Sequence, residues 1–477
     1  MEMHRRNQDP FDGGLPSSGN SIYSPDQTPQ QTPYRRRSLE TASNTGSDSI
    51  NPAPRNPFNA TPLGTSKNSS AIHIHQQKQN QKYFRSRRVK KGEVDHPWKA
   101  TKDPREKWVT IIPLIGLALG FVVAGYLVYN GLSTIVNHTY TLVLDEDWSK
   151  GFNTDVWTKE VNLGGFGNGE FEQTTGTEEN VMIENGKLII KPTLQDETLL
   201  TTNNNLTLPD CTSTQYYDCN AATNVTNGTI VPPVKSGRIN TLKGATIKYG
   251  RVEVVATMPE GDWLWPAIWM LPVNNTFGAW PASGEIDIAE SRGNNYSYAT
   301  GGNNIVTSTL HWGPDQKDDG YWRTSKKQSA LHTTYAAGQH TYGLEWSEKY
   351  LFTYIDTRLL QILYNPFNEY LWTRGQFPLS NSNGTTLTNP WVNDPNLNAP
   401  FDQEFYLIIN LAVGGTNGWF KDGAAGKPWV DKSKTAPKDF LAGKDQWYPT
   451  WKPETAQLTI SSVKMWQQVD DKPNVGK

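Results

Sequence analysis

The pattern of apolar and polar positions divides the chain into three parts. Residues 1–107 are rich in Ser, Asn, Gln, Pro and Arg and contain few clustered apolar side chains. Such a segment cannot bury enough apolar surface to offset the entropy lost on folding, so we predict a disordered tail. Residues 109–132 are almost continuously apolar. From residue 138 onward, short apolar runs alternate with Gly, Asn, Asp and Pro, which is typical of strands joined by turns.

The apolar stretch predicts a transmembrane helix at residues 108–132. Residues 108–144 contain no Asp, Glu, Lys or Arg, and the stretch is long enough to cross a hydrocarbon layer of roughly 30 Å. A signal peptide would lie at the extreme N-terminus and have a shorter apolar core; a buried core helix is the other alternative. Residues 82–107 contain ten Lys or Arg, whereas residues 133–149 contain three acids and no Lys or Arg. The positive-inside rule therefore predicts a cytoplasmic N-terminus, type II topology and a lumenal or extracellular domain at residues 138–470.

The last part of the chain predicts an all-β fold. Segments of four to nine residues have the composition of strands, and they lie at 187–191, 251–256, 285–289, 307–310, 350–355, 405–413 and 458–466. No long segment keeps a period of 3.6 residues, and we predict no helices between these strands. The pattern therefore favours two packed antiparallel sheets over βαβ units. Residues 196–235 are interpreted as an inserted surface loop.

Composition and charge narrow the choice of function. A net charge of −2 and a pI of 6.5 give no reason to expect a nucleic-acid partner. The 18 tryptophans and 20 tyrosines are consistent with an aromatic groove. Seven Asn-x-Ser/Thr sequons follow the apolar stretch and predict a glycoprotein of the secretory pathway, where a Cys211–Cys219 disulfide is favoured over two free thiols. The sequons begin at Asn137, Asn205, Asn224, Asn227, Asn274, Asn295 and Asn383.

The strongest candidate for chemistry is the sequence GEIDIAE at residues 284–290. Side chains alternate along a strand, so Glu285 and Asp287 share one face and Glu290 points to the other. One extra residue in a β-bulge would bring all three acids to the same face. Crowded carboxylates are costly, and they are found more often where acid–base chemistry is performed. A solvated acidic strand edge is the alternative interpretation.

Two carboxyl groups at such a spacing are suited to cleaving a glycosidic bond. One protonates the leaving oxygen while the other attacks or stabilises the anomeric carbon, and in retaining enzymes the two groups lie about 5 to 5.5 Å apart. Long Glu side chains can lean together to that separation. We expect Asp287 to keep negative charge near Glu285, so that Glu290 holds a proton while Glu285 stays ionised.

The order of several motifs resembles glycoside hydrolase family 16 of the laminarinase type over residues 145–468. The motifs are GGFGNGE at 164–170, YGRVE at 249–253, WPAIWMLP at 265–272, WPASG before the acids, HW at 311–312, the stretch 340–346, and FDQ and NLAVGG at 401–415. The resemblance implies a curved, concanavalin A-like β-jelly-roll with a sugar cleft, Glu285 as nucleophile, Glu290 as acid/base and Asp287 as the assisting residue. It implies an endo-1,3(4)-β-glucanase-like, retaining glycosidase.

Several further residues are candidates for substrate binding. Aromatic side chains stack on the apolar faces of sugars, and Trp265, Trp269 and Trp280 lie near the acids in sequence, although each of them could equally be core packing. By resemblance, the pair His311–Trp312 and Asn168 lie along the cleft. Eight scattered histidines show no metal-ligand spacing, so we expect no metal and no other cofactor.

The sequence leaves three functions open. The first is a retaining β-1,3-glucan hydrolase or transglycosylase. The second is a membrane-tethered glucan-binding protein without turnover, since the family resembled here includes glucan-recognition proteins that keep the fold but have lost the glutamates; this chain keeps both, which favours catalysis. The third is a structural wall-anchoring protein. The topology is similar to that of fungal membrane proteins involved in β-glucan assembly, which favours cell-wall remodelling, with β-glucan and the membrane as partners. That analogy rests on topology alone.

Overall fold

The computed structural model describes residues 86–97, 101–133, 136–381, 383–470 and 474–475. The chain divides into two units, residues 1–100 and 101–477. In the first unit, residues 86–97 are exposed and contain a turn in which Arg87 pairs with Glu93 at 2.6 Å. The rest of the predicted disordered tail before residue 101 lies outside the described residues, so that interpretation stays a prediction.

The second unit begins with a long apolar helix, α1 (Glu106–Ser133). Its 28 residues are about 42 Å long at 1.5 Å per residue. The segment Glu106–Gly131 has a mean hydropathy of 2.4, and none of it is buried. By length and composition this helix could cross a membrane. It begins two residues before the predicted span and ends one residue after it.

The remainder of this unit is built mainly of strands. In chain order they are β1 (Val136–Asn137), β2 (Tyr140–Glu146), β3 (Thr158–Lys159), β4 (Glu172–Thr174), β5 (Val181–Glu184), β6 (Lys187–Ile190), β7 (Thr193–Leu194), β8 (Asn204–Thr207), β9 (Asn220–Thr223), β10 (Val234–Ser236), β11 (Arg238–Asn240), β12 (Thr246–Ile247), β13 (Gly250–Thr257), β14 (Leu264–Pro272), β15 (Glu285–Ser291), β16 (Ile305–His311), β17 (Ser325–Ser329), β18 (His340–Trp346), β19 (Tyr350–Ile355), β20 (Gln361–Pro366), β21 (Phe405–Val413), β22 (Leu458–Gln468) and β23 (Asn474–Val475).

Two eight-stranded antiparallel sheets form the body of the fold. The first has the order β17-β16-β15-β14-β21-β11-β3, with β12 beside β21. The second has the order β20-β19-β18-β13-β22-β6-β5, with β2 beside β22. One hydrophobic core draws buried side chains from both sheets. The predicted all-β class and two-sheet jelly-roll sandwich are therefore confirmed, and every predicted strand is present.

Short helices interrupt the strands, so the prediction that none would occur is wrong. They are α2 (Glu197–Thr201), α3 (Tyr216–Cys219), α4 (Leu371–Gly375), α5 (Ala436–Ala442) and α6 (Lys444–Trp447), with 3₁₀ turns at Gly165–Gly167, Tyr321–Arg323 and Tyr448–Thr450. Each has at most seven residues. A helix of two turns carries too few residues for its period to stand out in a sequence.

The predicted inserted loop, residues 196–235, has more structure than expected. It contains α2, α3, the first residues of β10, and a hairpin in which β8 pairs with β9. Cys211 and Cys219 are joined by a disulfide, as the sequons led us to expect. The segment is an insertion with a small sheet of its own, because polar strands such as Asn204–Thr207 satisfy their backbone groups by pairing with each other.

Alternation along the central strands of the first sheet separates a core face from an outer face. Ile239, Ile409, Ile268 and Ala289 lie opposite one another on neighbouring strands, and all four are fully buried against the core. The residues next to them point the other way. That outer face carries the candidate site.

Candidate active site

A β-bulge in β15 places the three acids. On β16, Thr309 lies opposite Asp287 and Thr307 lies opposite Glu290, so three steps on β15 match two steps on β16. The pairing of β15 with β14 shifts at the same place. The extra residue reverses the alternation, so the predicted bulge is confirmed and the three acids share one face.

The acids belong to a polar row that crosses the sheet. Arg238 lies opposite Asn410, Asn410 opposite Ala267, Ala267 opposite Glu290, and Glu290 opposite Thr307. The row therefore runs from β11 through β21, β14 and β15 to β16. A polymer lying across the strands would contact residues from all five.

Each acid lies beside an aromatic or imidazole N–H. Trp265 Nε1 donates to Glu290 Oε1 over 2.9 Å, and Trp280 Nε1 donates to Glu285 Oε2 over 2.7 Å. His311 Nε2 lies 3.2 Å from Asp287 Oδ2. Asp287 and Glu290 are 3% and 8% exposed, whereas Glu285 is partly exposed. These contacts therefore hold the three acids in place, and Glu285 is the most exposed of them.

A fourth acid, Asp319, holds the histidine. Its Oδ2 lies 2.5 Å from His311 Nδ1, and its Oδ1 accepts hydrogen bonds from the backbone N–H groups of Trp312 and Tyr321 at 3.2 and 3.0 Å. The two carboxylates, Asp287 and Asp319, together raise the pKa of His311 well above its usual value, although burial opposes this. Each ring nitrogen therefore faces a carboxylate, which favours the doubly protonated ring. The sequence did not reveal Asp319, because only the fold brings this loop back to the end of β16.

Burial raises the pKa of all three acids on β15. The pKa of Glu285 rises to about 8, because burial and the charge of Asp287 both oppose ionisation. Burial and Glu290 raise the pKa of Asp287 to about 6, and burial raises that of Glu290 to about 7. The raised pKa of Glu290 agrees with its expected role as the group that holds the proton, whereas the raised pKa of Glu285 does not favour the ionised form expected of it. The physical reason for the latter is burial in the first place and then the negative charge of Asp287, a carboxylate oxygen of which lies within 4.8 Å of one of Glu285. The assignment of the two roles stays a prediction.

Aromatic rings stand on both sides of the acids. Beside Glu290, Trp265 stacks on Trp419 with ring centroids 4.8 Å apart and an interplanar angle of 13°, and the Arg292 guanidinium lies 3.9 Å from the centroid of Trp419. Trp419 was not among the predicted residues. It follows a glycine-rich turn after β21, where the sequence shows no alternation that would indicate the side it faces.

On the other side, beside Glu285, Trp280 is 40% exposed and its ring lies 5.5 Å from that of His311. His311 also stacks on Tyr321 at 5.4 Å, and Tyr321 is 47% exposed. Tyr321 was likewise missed by the sequence analysis. The acids therefore lie between an aromatic wall at Trp265 and Trp419 and a second one at Trp280 and Tyr321.

Two more predicted residues, Trp269 and Asn168, line the row towards β11. Trp269 Nε1 donates to Asn410 Oδ1 over 2.7 Å, and the Arg238 guanidinium lies between the rings of Trp269 and Phe166 at 4.7 and 4.0 Å. Asn168 donates to Glu170 and accepts from Asn417. Trp269 and Asn168 are partly exposed and belong to the outer face.

Trp312 is a correction to the predicted site. It is fully buried, packs against Phe377 and Trp391, and donates its indole N–H to Thr324. Its neighbour His311 points outward, and alternation along the strand turns Trp312 into the core. Trp312 therefore supports the site from within and does not contact a ligand.

Glu285, Asp287 and His311 place potential metal ligands within 4.8 Å of one another. Both nitrogens of His311 face carboxylates, and the raised pKa keeps them protonated. A protonated imidazole has no lone pair for a metal. The histidine itself supplies the positive charge here, which fits proton chemistry better than metal binding.

The fold and the site define an all-β protein whose outer sheet face carries paired carboxylates between aromatic walls. Residues 178–395 match the family model described as glycosyl hydrolases family 16. The chain belongs to this family.

The proteins similar to this chain in sequence include β-1,3-glucan-binding proteins and a glucan endo-1,3-beta-glucosidase. The β-1,3-glucan-binding protein of Penaeus monodon is 38% identical over 69% of this chain and 91% of its own length. The β-1,3-glucan-binding protein 1 of Galleria mellonella is 31% identical over 68% of this chain and 63% of its own length. Glucan endo-1,3-beta-glucosidase A1 of Niallia circulans is 32% identical over 56% of this chain and 33% of its own length.

Among solved structures, the laminarinase from Rhodothermus marinus is 25% identical, with a TM-score of 0.44 over 70% of this chain and 99% of that chain. The sequence relatives, and not this structural likeness, show that the chain is a family 16 protein. A fungal source stays a prediction.

Proposed function

We propose that residues 138–470 form a retaining glycoside hydrolase that acts on β-1,3-glucan by endo-hydrolysis or transglycosylation. The single observation that carries the proposal is the bulge in β15, which turns Glu290 to the face of Glu285. Two carboxyl groups on one face, between aromatic rings on both sides, match the requirement for cleaving a glycosidic bond.

In this proposal Glu290 is the acid. Its pKa of about 7 keeps a proton available near neutral pH, and the Trp265 N–H fixes its orientation. Glu290 gives this proton to the leaving glycosidic oxygen. It then takes a proton from the incoming water or sugar hydroxyl that completes the reaction.

Glu285 is the nucleophile, and it must be ionised when it attacks the anomeric carbon. In this mechanism Glu285 and Asp287, whose nearest carboxylate oxygens lie within 4.8 Å of each other, hold one proton between them. As positive charge develops on the sugar, that proton moves onto Asp287 and leaves Glu285 negative. The Trp280 N–H stabilises the resulting carboxylate.

The names of the relatives support the substrate class and keep a second function open. The Penaeus monodon and Galleria mellonella proteins are named for binding β-1,3-glucan, and the Niallia circulans protein is named for endo-1,3-β-glucosidase activity. A membrane-tethered glucan-binding protein without turnover is therefore the alternative. The retained Glu285 and Glu290, with raised pKa values, favour turnover.

We further propose that α1 anchors the domain to a membrane, with the N-terminus in the cytoplasm and the sugar cleft lumenal or extracellular, as a glycoprotein of the secretory pathway that remodels cell-wall glucan. The apolar length of α1 and the ten basic residues before it support this orientation. The test adds protease to sealed vesicles whose cytoplasmic face points outward. We expect the tail to be digested and residues 138–470 to be protected. A protected tail would contradict the proposed orientation.

Product analysis tests the enzyme. The full chain in detergent micelles is incubated with a defined β-1,3-glucan oligomer, and the products are resolved by mass spectrometry. We expect shorter products from hydrolysis, longer products from transfer, and neither from Glu285→Gln. Glu348→Gln, at an exposed position in the turn between β18 and β19 of the other sheet, is the matched control. Binding without any product from the wild type would favour the glucan-binding alternative.

A further inference from the structure

The insertion at residues 196–235 exposes two aromatic rings. Tyr216 is 69% exposed and Tyr217 is 81% exposed, and their ring centroids lie 5.4 Å apart at an angle of 86°. Both belong to α3. Two adjacent tyrosines with most of their surface in water are an unusual use of aromatic residues, because such rings are normally buried or held at a binding surface.

These tyrosines are held in a fixed position. The disulfide between Cys211 and Cys219 closes the loop around α3, and Ser213 Oγ donates to Asp218 Oδ2 over 2.6 Å inside it. The Asp218 carbonyl also accepts a hydrogen bond from the Leu163 N–H over 2.7 Å. Asp218, the residue after Tyr217, is therefore held through both its carboxylate and its carbonyl. A rigid aromatic surface loses little entropy when a ligand stacks on it.

The attachment point lies at the end of the polar row. Asp218 touches the turn that begins at Gly164, where the Asp218 Oδ1 lies so close that no side chain could be added to the glycine. The same turn carries Phe166, whose ring lies on the Arg238 guanidinium. The Thr212 N–H also donates to the Val161 carbonyl just after β3. The insertion therefore continues the sheet edge at which the row from Glu290 to Arg238 ends.

The distance along this row suits a polymer. From β15 to β3 there are four strand spacings, or about 19 Å at 4.8 Å each. A short oligosaccharide held at the acids does not reach past β3. A longer chain lying across the strands emerges beside the insertion.

We propose that Tyr216 and Tyr217 form a sugar-stacking platform that binds a β-1,3-glucan chain beyond the acid-bearing part of the cleft. The inference rests on the proposed function for its ligand. Aromatic rings bind the apolar CH faces of sugars and tolerate sliding, which suits a long polymer. The platform makes the protein select long chains over short ones.

Length-dependent binding tests the platform without any need for turnover. The full chain carrying Glu285→Gln is titrated in detergent micelles with a β-1,3-linked trisaccharide and with a β-1,3-linked decasaccharide. We expect the added Tyr216→Ala/Tyr217→Ala pair to lower decasaccharide affinity by about fivefold to tenfold and to leave trisaccharide affinity unchanged. The phenylalanine pair, Tyr216→Phe/Tyr217→Phe, keeps the rings and should restore decasaccharide affinity.

The matched control is Tyr364→Ala, since Tyr364 is 55% exposed on an edge strand of the other sheet. Unchanged decasaccharide affinity in the alanine pair would overturn the platform, and so would an equal loss for both sugars. Failure of the protein with intact tyrosines to bind either sugar would instead contradict the proposed function itself. The two failures are therefore distinguishable.

Discussion

Asp319 Oδ2 lies 2.5 Å from Nδ1 of His311. The other ring nitrogen lies 3.2 Å from Asp287 Oδ2, so one imidazolium bridges two carboxylates. That positive charge lowers the pKa of Glu285, Asp287 and Glu290, against the effect of burial. Asp319 therefore acts on the acids through His311 and is a positioning residue.

Replacing Asp319 by Asn should make activity depend more steeply on pH. The pKa of His311 falls towards its usual value because one of the two carboxylates that raise it is gone. Near pH 5 the ring stays charged in the variant, and kcat/KM remains close to that of the wild type. Above pH 7 the ring becomes neutral, the carboxyl pKa values rise, and we expect kcat/KM to fall about tenfold.

The measurement for Asp319→Asn is a pH profile of kcat/KM from pH 5 to 8, alongside the imidazole titration by NMR. Asp315→Asn is the control, because Asp315 caps a turn in the same loop through the N–H groups of Lys317 and Asp318. An equal loss of activity at pH 5 and pH 8 would indicate a merely structural role for Asp319.

Trp280→Phe should shift the acidic limb of the pH profile upward. The indole N–H donates to Glu285 and lowers its pKa, so phenylalanine removes the bond and keeps most of the apolar surface. One neutral hydrogen bond contributes about 0.5–1.5 kcal/mol, which corresponds to a shift of roughly half to one pH unit. The pH dependence of kcat/KM on a short oligosaccharide measures this shift. Trp322→Phe, at a 62% exposed position, should leave the limb in place, and a Trp280→Phe limb that coincides with the wild type would contradict the role of this bond.

The sequence could predict much of this fold because its signals are local. Strands such as β19 and β21 match their predicted bounds, since apolar runs between turn residues depend on neighbours in the chain. The bulge in β15 could be predicted because the acids at 285, 287 and 290 require it if they act together. Both predictions succeeded because they depend only on residues that are close together in the sequence.

The parts that were missed depend on contacts between distant segments. Asp319, Tyr321 and Trp419 reach the site from loops, and no periodicity in a loop indicates which side a residue faces. Trp312 was misplaced for a related reason: its pairing with His311 in the motif says nothing about which of the two points outward. The pKa values of Glu285 and Glu290 depend on burial and on the charges of neighbouring side chains, which the sequence alone does not determine.

Trp419→Ala should lower kcat more than it raises KM. Trp419 stacks on Trp265, and Trp265 in turn holds Glu290. Loss of the stacked ring removes about 0.5–1.5 kcal/mol of packing and lets the indole of Trp265 move, so the acid is less well oriented and kcat should fall about tenfold. Steady-state kinetics on a defined oligomer give both parameters. Trp419→Phe retains a stacked ring and should keep most of the activity; a rise in KM alone would mean that Trp419 only binds sugar.

Glu290→Gln should abolish turnover and yet stabilise the protein at alkaline pH. The pKa of Glu290 is 4.5 in its ordinary state and about 7 in the fold, so the native state holds this proton more tightly than the unfolded state. Wild-type stability attributable to this group is therefore full below pH 4.5 and is lost as the pH rises through 7, up to about 3 kcal/mol. Glutamine has no charge to desolvate and accepts the same Trp265 hydrogen bond. Thermal unfolding should therefore give equal midpoints for variant and wild type near pH 4 and a midpoint several degrees higher for the variant at pH 8. Glu348→Gln serves as the exposed control, and a midpoint difference that does not change with pH would show that Glu290 is not held in its neutral form by burial.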